Sequence, residues 1–328
     1  MQAFRHSLAV LAALAALMLG PATAAQAQEF PSRPIQVVVP YAPGGASDTM
    51  ARTVAPKLSE LLGQSVVIEN KPGGNTNIGA QSVAHAAANG YTLLFSNDAT
   101  YTFNPALFRT LPYDMKRDFA PVATVAYMNL AMVVPASLPI DNFAEFVSWA
   151  RQNSGKISYA SYGVGSQAHI MGETFKKVTG IDAVHVPYKG AAPATASVVA
   201  NETAFTFPTL ATAQGFIQSG KVKVIAISGD VRSRLVPETP TFAEVGMQDM
   251  NIGAWYGFFA PKATPTAAID RVNRAVRTML SDKGFVEEQL VKKGMLPMSL
   301  TPDQVADLLA RETERIARIV KQSGATVE

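Results

Sequence analysis

The stretch Pro40-Tyr41-Ala42-Pro43-Gly44-Gly45-Ala46-Ser47-Asp48 constrains the fold more than any other in the chain. It follows a β-branched run, Ile35-Gln36-Val37-Val38-Val39, and precedes Thr49-Met50-Ala51-Arg52, which opens a helix, so the order is strand, glycine turn, helix start. Gly44 and Gly45 carry no Cβ, which lets the backbone take positive φ and approach a ligand closely. The helix behind them supplies N–H groups without intrahelical partners and the positive end of its dipole. That combination suits an anion. The loop contains neither a terminal Gly-Lys-Ser/Thr nor G-x-G-x-x-G, so phosphate chains and dinucleotides lose their main support and a carboxylate becomes the expected ligand. A local reading stands beside it: Pro43-Gly44-Gly45 as a tight connection and Asp48 as a first-turn acid interacting with the helix dipole.

The alternation continues downstream. Gly63 stops the helix over 48–62, residues 66–69 form a second buried strand, and a polar glycine-rich loop over 70–79 leads into an alanine-rich helix over 80–88. A third strand over 91–95 carries at its carboxyl end Ser96-Asn97-Asp98-Ala99-Thr100, small polar residues suited to lining a cleft. Strands alternating with helices predict parallel sheets with covered faces. After a less regular, proline-bearing stretch over 104–121, apolar runs at 122–126 and 130–134 take the chain into a second domain. There the pattern restarts with a helix over 142–151, a strand over 157–160, the loop Ser161-Tyr162-Gly163-Val164-Gly165-Ser166 and a helix over 167–178. This is no sequence repeat, but two such turns, one per domain, can face each other across a cleft.

A strand over 183–186 then ends in Pro187-Tyr188-Lys189-Gly190, an alanine-rich helix runs to 200, and 204–207 and 222–227 are further strands. Gly253-Ala254-Trp255-Tyr256-Gly257 returns the chain to the first domain. Helices over 266–280 and 301–320 follow, the second opening on a capping box, with its charges from Arg311 to Lys321 expected on a solvated face. The predicted domains are 28–127 with 253–328, and 128–252.

Arg5 and His6 precede an apolar run from Leu8 to Leu19 and then Ala25-Gln26-Ala27, the layout of a secretory leader cleaved after Ala27. The apolar run is shorter than the roughly 20 residues a membrane span needs. Cleavage leaves 301 of the 328 residues, enough for two domains, and lowers the formal charge from +3 to +2. With no cysteine, disulfides, thiolate metal sites and a Cys nucleophile are excluded, so ordinary cores must hold an exported chain that is 48% hydrophobic. Basic and acidic residues are scattered, which argues against nucleic acid and a membrane-surface patch.

Of the histidines beyond the leader, His85 falls in an alanine-rich helix and His185 in an alternating strand, both expected to be structural. His169, one turn into the helix after the second glycine loop, is placed to donate to a cleft anion. No pair has metal-ligand spacing, and no cofactor or metal is expected. G-x-S-x-G does not occur; an exported serine hydrolase would have only Ser166 near His169. Glu69, Asp98, Asp114 and Asp118 form no obvious acid pair. Tyr41, Tyr101, Phe103, Tyr162 and Trp255 are candidates for an apolar wall, should the ligand be aromatic.

Several segments together resemble the substrate-binding receptors of tripartite tricarboxylate transporters, the Bug or TctC family. They are Pro31-Ser32-Arg33-Pro34-Ile35 with Val39-Pro40-Tyr41-Ala42-Pro43-Gly44-Gly45, Glu69-Asn70-Lys71-Pro72-Gly73-Gly74 with Asn77-Ile78-Gly79, and Asn89-Gly90-Tyr91-Thr92-Leu93-Leu94. Gly165-Ser166 with His169, His185-Val186-Pro187-Tyr188-Lys189-Gly190-Ala191, Pro240-Thr241-Phe242-Ala243-Glu244 and Trp255-Tyr256-Gly257 complete the set. The resemblance implies an α/β, two-lobed type II periplasmic binding protein fold, each lobe a mostly parallel sheet flanked by helices, with the ligand in the interdomain cleft. It implies a periplasmic monomer without enzymatic activity that binds a small di-, tri- or aromatic carboxylate and delivers it to the permease subunits of the transporter. A sensory adaptor signalling to a membrane kinase is the alternative. The implied ligand contacts are Tyr41, Ala42, Pro43, Gly44, Gly45, Ala46, Ser47 and Asp48 in the first loop. Opposite them come Ser96, Asn97, Ser161, Gly163, Gly165, Ser166, Gln167, His169, Tyr188, Lys189, Gly190 and Thr209. Members of the family often carry Asp where this chain has Thr209.

Overall fold

The structure, a computed structural model, describes residues 29–325. The expected leader and its cleavage after Ala27 lie outside the described residues.

Strand β1 (Ile35–Val39) pairs in parallel with β2 (Val66–Asn70) and β3 (Thr92–Asn97). Ile35, Val37, Val38 and Val39 are all buried, as a strand covered on both faces requires. On one face lies helix α1 (Ala46–Leu62), whose Met50, Val54, Leu58 and Leu62 form a single apolar stripe against Val37 and Val39. On the other, α2 (Asn77–Ala84) packs Ala80 and Val83 against Val38 and Leu94. Helix α2 starts before the expected position 80, so Gly79 is a helical residue and not part of the loop. Its backbone lies on the end of β1: a Cβ there would stand 2.7 Å from Pro40 Cβ and 2.8 Å from the Lys71 carbonyl.

Short helical turns at Ala99–Phe103, Asn104–Leu107 and Met115–Asp118 replace the irregular stretch expected before β4 (Phe119–Met128). This ten-residue strand carries Pro121 at a register shift, where the missing N–H is tolerated. The chain then crosses through Asn129 into β5 (Ala131–Pro135), helix α3 (Phe143–Gln152), β6 (Ile157–Ser161), α4 (Gln167–Thr179), β7 (Ala183–Pro187), α5 (Ala191–Val199), α6 (Leu210–Gln218) and β8 (Val222–Ile227). Strands β5 and β8 pair antiparallel, β6 and β7 parallel. Residues 204–207, expected as a strand, join the two pairs only through isolated bridges, with Val133 N–H on the Thr206 carbonyl at 3.0 Å and Ala160 N–H on the Phe205 carbonyl at 2.9 Å.

β9 (Ala254–Pro261) returns to the first sheet and runs antiparallel between β3 and β4; after α7 (Thr266–Ser281), β10 (Met295–Pro297) closes the order β10-β4-β9-β3-β1-β2. Strands β1 to β4 therefore share one direction, against β9 and β10. The last helix, α8 (Pro302–Ser323), opens on the expected capping box: Gln304 N–H donates to Thr301 Oγ1 and Thr301 N–H to Gln304 Oε1. Its Val305 packs with Val38 and Tyr101, whereas Ile316, Ile319 and Val320 belong to the core of Leu130, Phe146 and Phe205. One helix thus spans both cores. Its charges do not all face solvent: Arg315, paired with Glu312 at 2.8 Å, turns inward and donates to the Asn251 carbonyl at 3.0 Å, because a helix wedged between two cores has no fully solvated side at that turn.

Candidate functional site

The carboxyl ends of β1, β3 and β6 converge, and with them the two glycine turns. Tyr41 Oη donates to Asn97 Oδ1 at 2.6 Å. Tyr256 of β9 reaches Asn97 and Ser47. From the second sheet, Gln167, the first residue of α4, sends Nε2 to both Asp98 oxygens at 2.9 and 3.1 Å, while its Oε1 accepts from Tyr162 Oη at 3.2 Å. Tyr162 in turn lies within electrostatic reach of Tyr256, Asp98 and Tyr41, and burial pushes its phenol far up. Both halves of the chain therefore close on one crevice lined by three phenols.

The two turns are not equivalent. In the first, Gly44 takes φ 85°, and the N-cap of α1 is Gly45, which has no side chain to offer, so no side-chain acceptor caps Ala46, Ser47 or Asp48. Asp48 is not aimed at a ligand. Its carboxylate accepts from Gly44 N–H, Arg52 Nε and Asn70 Nδ2, each at 2.9 Å, and these bonds hold it below its ordinary value although burial alone would raise it. It shapes the loop and leaves the helix amides open. In the second turn four amides are already engaged: Gly163 N–H on Ser161 Oγ at 3.2 Å, Gly165 N–H on His169 Nδ1 at 3.1 Å, Ser166 N–H on the Gly163 carbonyl at 3.2 Å, and His169 N–H on the N-cap Ser166 Oγ at 3.3 Å.

The same bonds bear on a Ser166–His169 nucleophile and base. Ser166 Oγ donates to the Gly163 carbonyl at 2.7 Å, and the acceptor nitrogen of His169 is held by the Gly165 amide, so the two side chains do not face each other as a catalytic pair must. With Nδ1 accepting, the neutral His169 ring carries its proton on Nε2, a donor that makes no hydrogen bond among the described residues. Its ring stacks on His185 at 4.2 Å, His185 on Tyr159 at 5.0 Å, and Tyr159 on Phe205 at 5.5 Å, a column running from the crevice into the core. His185 Nε2 also meets Ser161 Oγ at 2.7 Å, in keeping with the structural role expected of it.

Burial, with the neighbouring imidazole, lowers His185 to about 4, and burial lowers His169 as well. A histidine whose folded value lies below its ordinary 6.5 stabilises the fold above that pH, and the contribution is lost as pH falls towards 4. Thermal melts of the protein are therefore expected to drop between pH 6.5 and 4 more steeply than those of His185→Asn; parallel curves would refute this.

Not every candidate reaches the crevice. Ser96 is fully buried, with its hydroxyl on Thr100 at 2.6 Å. Thr209 caps α6 by accepting from Thr212 N–H at 3.2 Å, beside the crossing at Leu130. Tyr188 Oη points to Glu202 at 3.4 Å, Lys189 is exposed, and Gly190 starts α5. Among the aromatic candidates only Tyr41 and Tyr162 line the site; Tyr101 and Trp255 stack at 5.1 Å in the first core, and Phe103 joins the second. Asp98, within the stretch expected to line the cleft, and Tyr256 are not among the expected ligand contacts. Asp98 sits at the predicted cleft edge, but an unpaired acid carried no signal of its own, and Tyr256 enters on a strand from the far end of the chain.

A family model described as the tripartite tricarboxylate transporter family receptor matches residues 50–325. Protein BugT of Bordetella pertussis is 34% identical over 310 residues, covering 94% of this chain and 95% of the relative. Among solved structures, an R. palustris protein determined with adipate superposes with a TM-score of 0.84 at 31% identity, covering 91% of this chain and 99% of that one. MatC from Rhodopseudomonas palustris, with bound malate, gives 0.78 at 32% identity over 89% of this chain and 100% of that one.

Proposed function

Since the chain belongs to the tripartite tricarboxylate transporter receptor family, we propose that it is a solute receptor that closes its two lobes on an aliphatic dicarboxylate and passes it to a membrane permease. Its fold is the expected two-lobed α/β periplasmic binding protein fold, and the solved structures it resembles include a periplasmic transporter and the periplasmic binding protein BugD.

The observation that carries this reading is the uncapped start of α1 opening on the crevice shared by Tyr41, Asn97, Tyr162, Gln167 and Tyr256. A carboxylate there completes the N-cap that Gly45 leaves out. The second carboxylate accepts from His169 Nε2–H and from neighbouring phenol hydroxyls. Each charge-assisted bond contributes roughly 1.5–3 kcal/mol, so three or four, less the cost of closure, reach the about −8 kcal/mol of a micromolar complex. Adipate and malate, held by the two structural relatives, are both dicarboxylates.

Calorimetric titration of the chain from Gln28 onward tests the proposal with adipate and with hexanoate, which has the same carbon chain and one carboxylate. One-to-one binding of adipate, weakened at least about tenfold for hexanoate, is the expected result, since one charge-assisted contact set is lost. Equal affinity for the two, or no heat with any dicarboxylate, would refute it.

A further inference from the structure

Among the described residues, Asp98 is the acid inside the crevice that bonds across it, and neither ligand capture nor the fold of β3 requires a carboxyl at that position. It is only 2% exposed, at the carboxyl end of β3. Its hydrogen-bond partner is the neutral amide of Gln167, reaching across from the other lobe. Among the described residues no cation touches it. Arg315 of α8 lies within electrostatic reach but is neutralised by Glu312, which is closer in effect to Asp98 than Arg315 is. The remaining titratable groups that face it are phenols: Tyr41 from the first turn, Tyr101 after β3, Tyr127 from β4, Tyr162 from the second turn and Tyr256 from β9. A carboxylate buried without a cation is strongly disfavoured in its charged form, and a dianion entering the same crevice adds like charge.

We propose that Asp98 carries a proton in the closed state, so that capture of a dicarboxylate takes up one proton and Asp98 sets how tightly the ligand is held at each pH; this rests on the receptor function proposed above. In the open state the lobes separate, Gln167 leaves, and water reaches the carboxyl, which then ionises like any exposed aspartate. Closure removes that water. A neutral Asp98 spares the incoming dianion a repulsive charge and still accepts from Gln167 Nε2 through its carbonyl oxygen, which fastens one lobe to the other. Burial, reinforced by Glu312 and opposed by Gln167 and Arg315, pushes the Asp98 carboxyl well above the usual carboxylate range, in the same direction.

Adipate titrated calorimetrically near pH 7.5 in buffers of different ionisation enthalpy reads the proton count directly. Burial lowers both His169 and His185 in the unliganded protein, and a proton taken up at His169 beside the ligand carboxylate is told apart from one at Asp98 because it persists in Asp98→Asn. The expected slope corresponds to about one proton taken up per adipate, and to none in Asp98→Asn, whose amide imitates the neutral acid. Affinity should weaken by up to about tenfold per unit of rising pH in the wild type and stay flat in the variant. Infrared difference spectra supply a second reading that needs no variant: adipate should bring up a protonated-carboxyl band in the wild type. Adipate binding without proton uptake, uptake that persists in Asp98→Asn, or absence of that band overturns the proposal. Absence of adipate binding overturns the receptor reading instead.

Discussion

Gly172→Ala should destabilise the protein by about 2 kcal/mol, although alanine is the better helix former, because overpacking a closed core costs up to about 3 kcal/mol and outweighs the about 1 kcal/mol of propensity gained. Gly172 lies mid-way along α4 with the Tyr159 ring laid across it: an added Cβ would stand 2.0 Å from Cε2, 2.4 Å from Cζ and 2.5 Å from Cδ2. The ring has nowhere to go. It is fully buried, sandwiched between Phe205 and His185, and tied through its hydroxyl to Glu173 Oε1 at 2.7 Å. Any shift passes along the column to His185 and His169, and so to the Gly165 amide that His169 holds. Denaturant melts should show the loss, and ligand affinity should fall with it. Gly215 in α6 supplies the contrast, since nothing lies within 4 Å of a Cβ there; Gly215→Ala should stabilise, by up to about 1 kcal/mol. Equal effects of the two substitutions would show that the Tyr159 contact does not govern the site.

Gly45→Ser is expected to move stability and affinity in opposite directions. Gly45 has φ −74° and ψ 169°, the extended conformation that an N-cap serine prefers, and a Cβ there meets only the Ala42 carbonyl at an ordinary 3.6 Å. Serine should raise stability by a few tenths of a kcal/mol by accepting from the first-turn amides, as Ser166 does for α4. Those are the amides assigned to the ligand carboxylate. Losing one or two charge-assisted bonds should weaken adipate binding about 30- to 100-fold. Gly45→Ala adds the same Cβ without an acceptor and should bind nearly as the wild type does. If Gly45→Ser binds adipate as tightly as Gly45→Ala, the first turn is only a tight connection.

Much of this architecture is local in origin and was therefore readable along the chain. The β-branched run at 35–39, the glycine turn and the helix behind it are set by steric preference and hydrogen-bonding capacity within a dozen residues, and the same holds for the strand, turn and helix from Ile157 to Thr179. The Thr301–Gln304 capping box was legible for the same reason. Where local preference is weak, the reading failed: residues 204–207 have strand composition but serve as a bridge between two strand pairs, and Gly79 resembles a loop residue until Pro40 packs on it.

The roles of the polar side chains were decided only by the folded chain. Both glycine turns offer amides on paper, yet Ser161, Ser166 and His169 take up the Gly163, His169 and Gly165 amides of the second, while no side chain caps the first. Asp98, Gln167 and Tyr256 are brought together from positions 69 and 89 residues apart in the chain, and Arg315 is turned inward by a helix shared between two cores. Sequence alone determines which segments can present donors and acceptors, since that depends on backbone geometry over a few residues. Tertiary structure determines which of those groups already have partners and which have lost their water, since burial and pairing are properties of neighbours that the order of residues does not name.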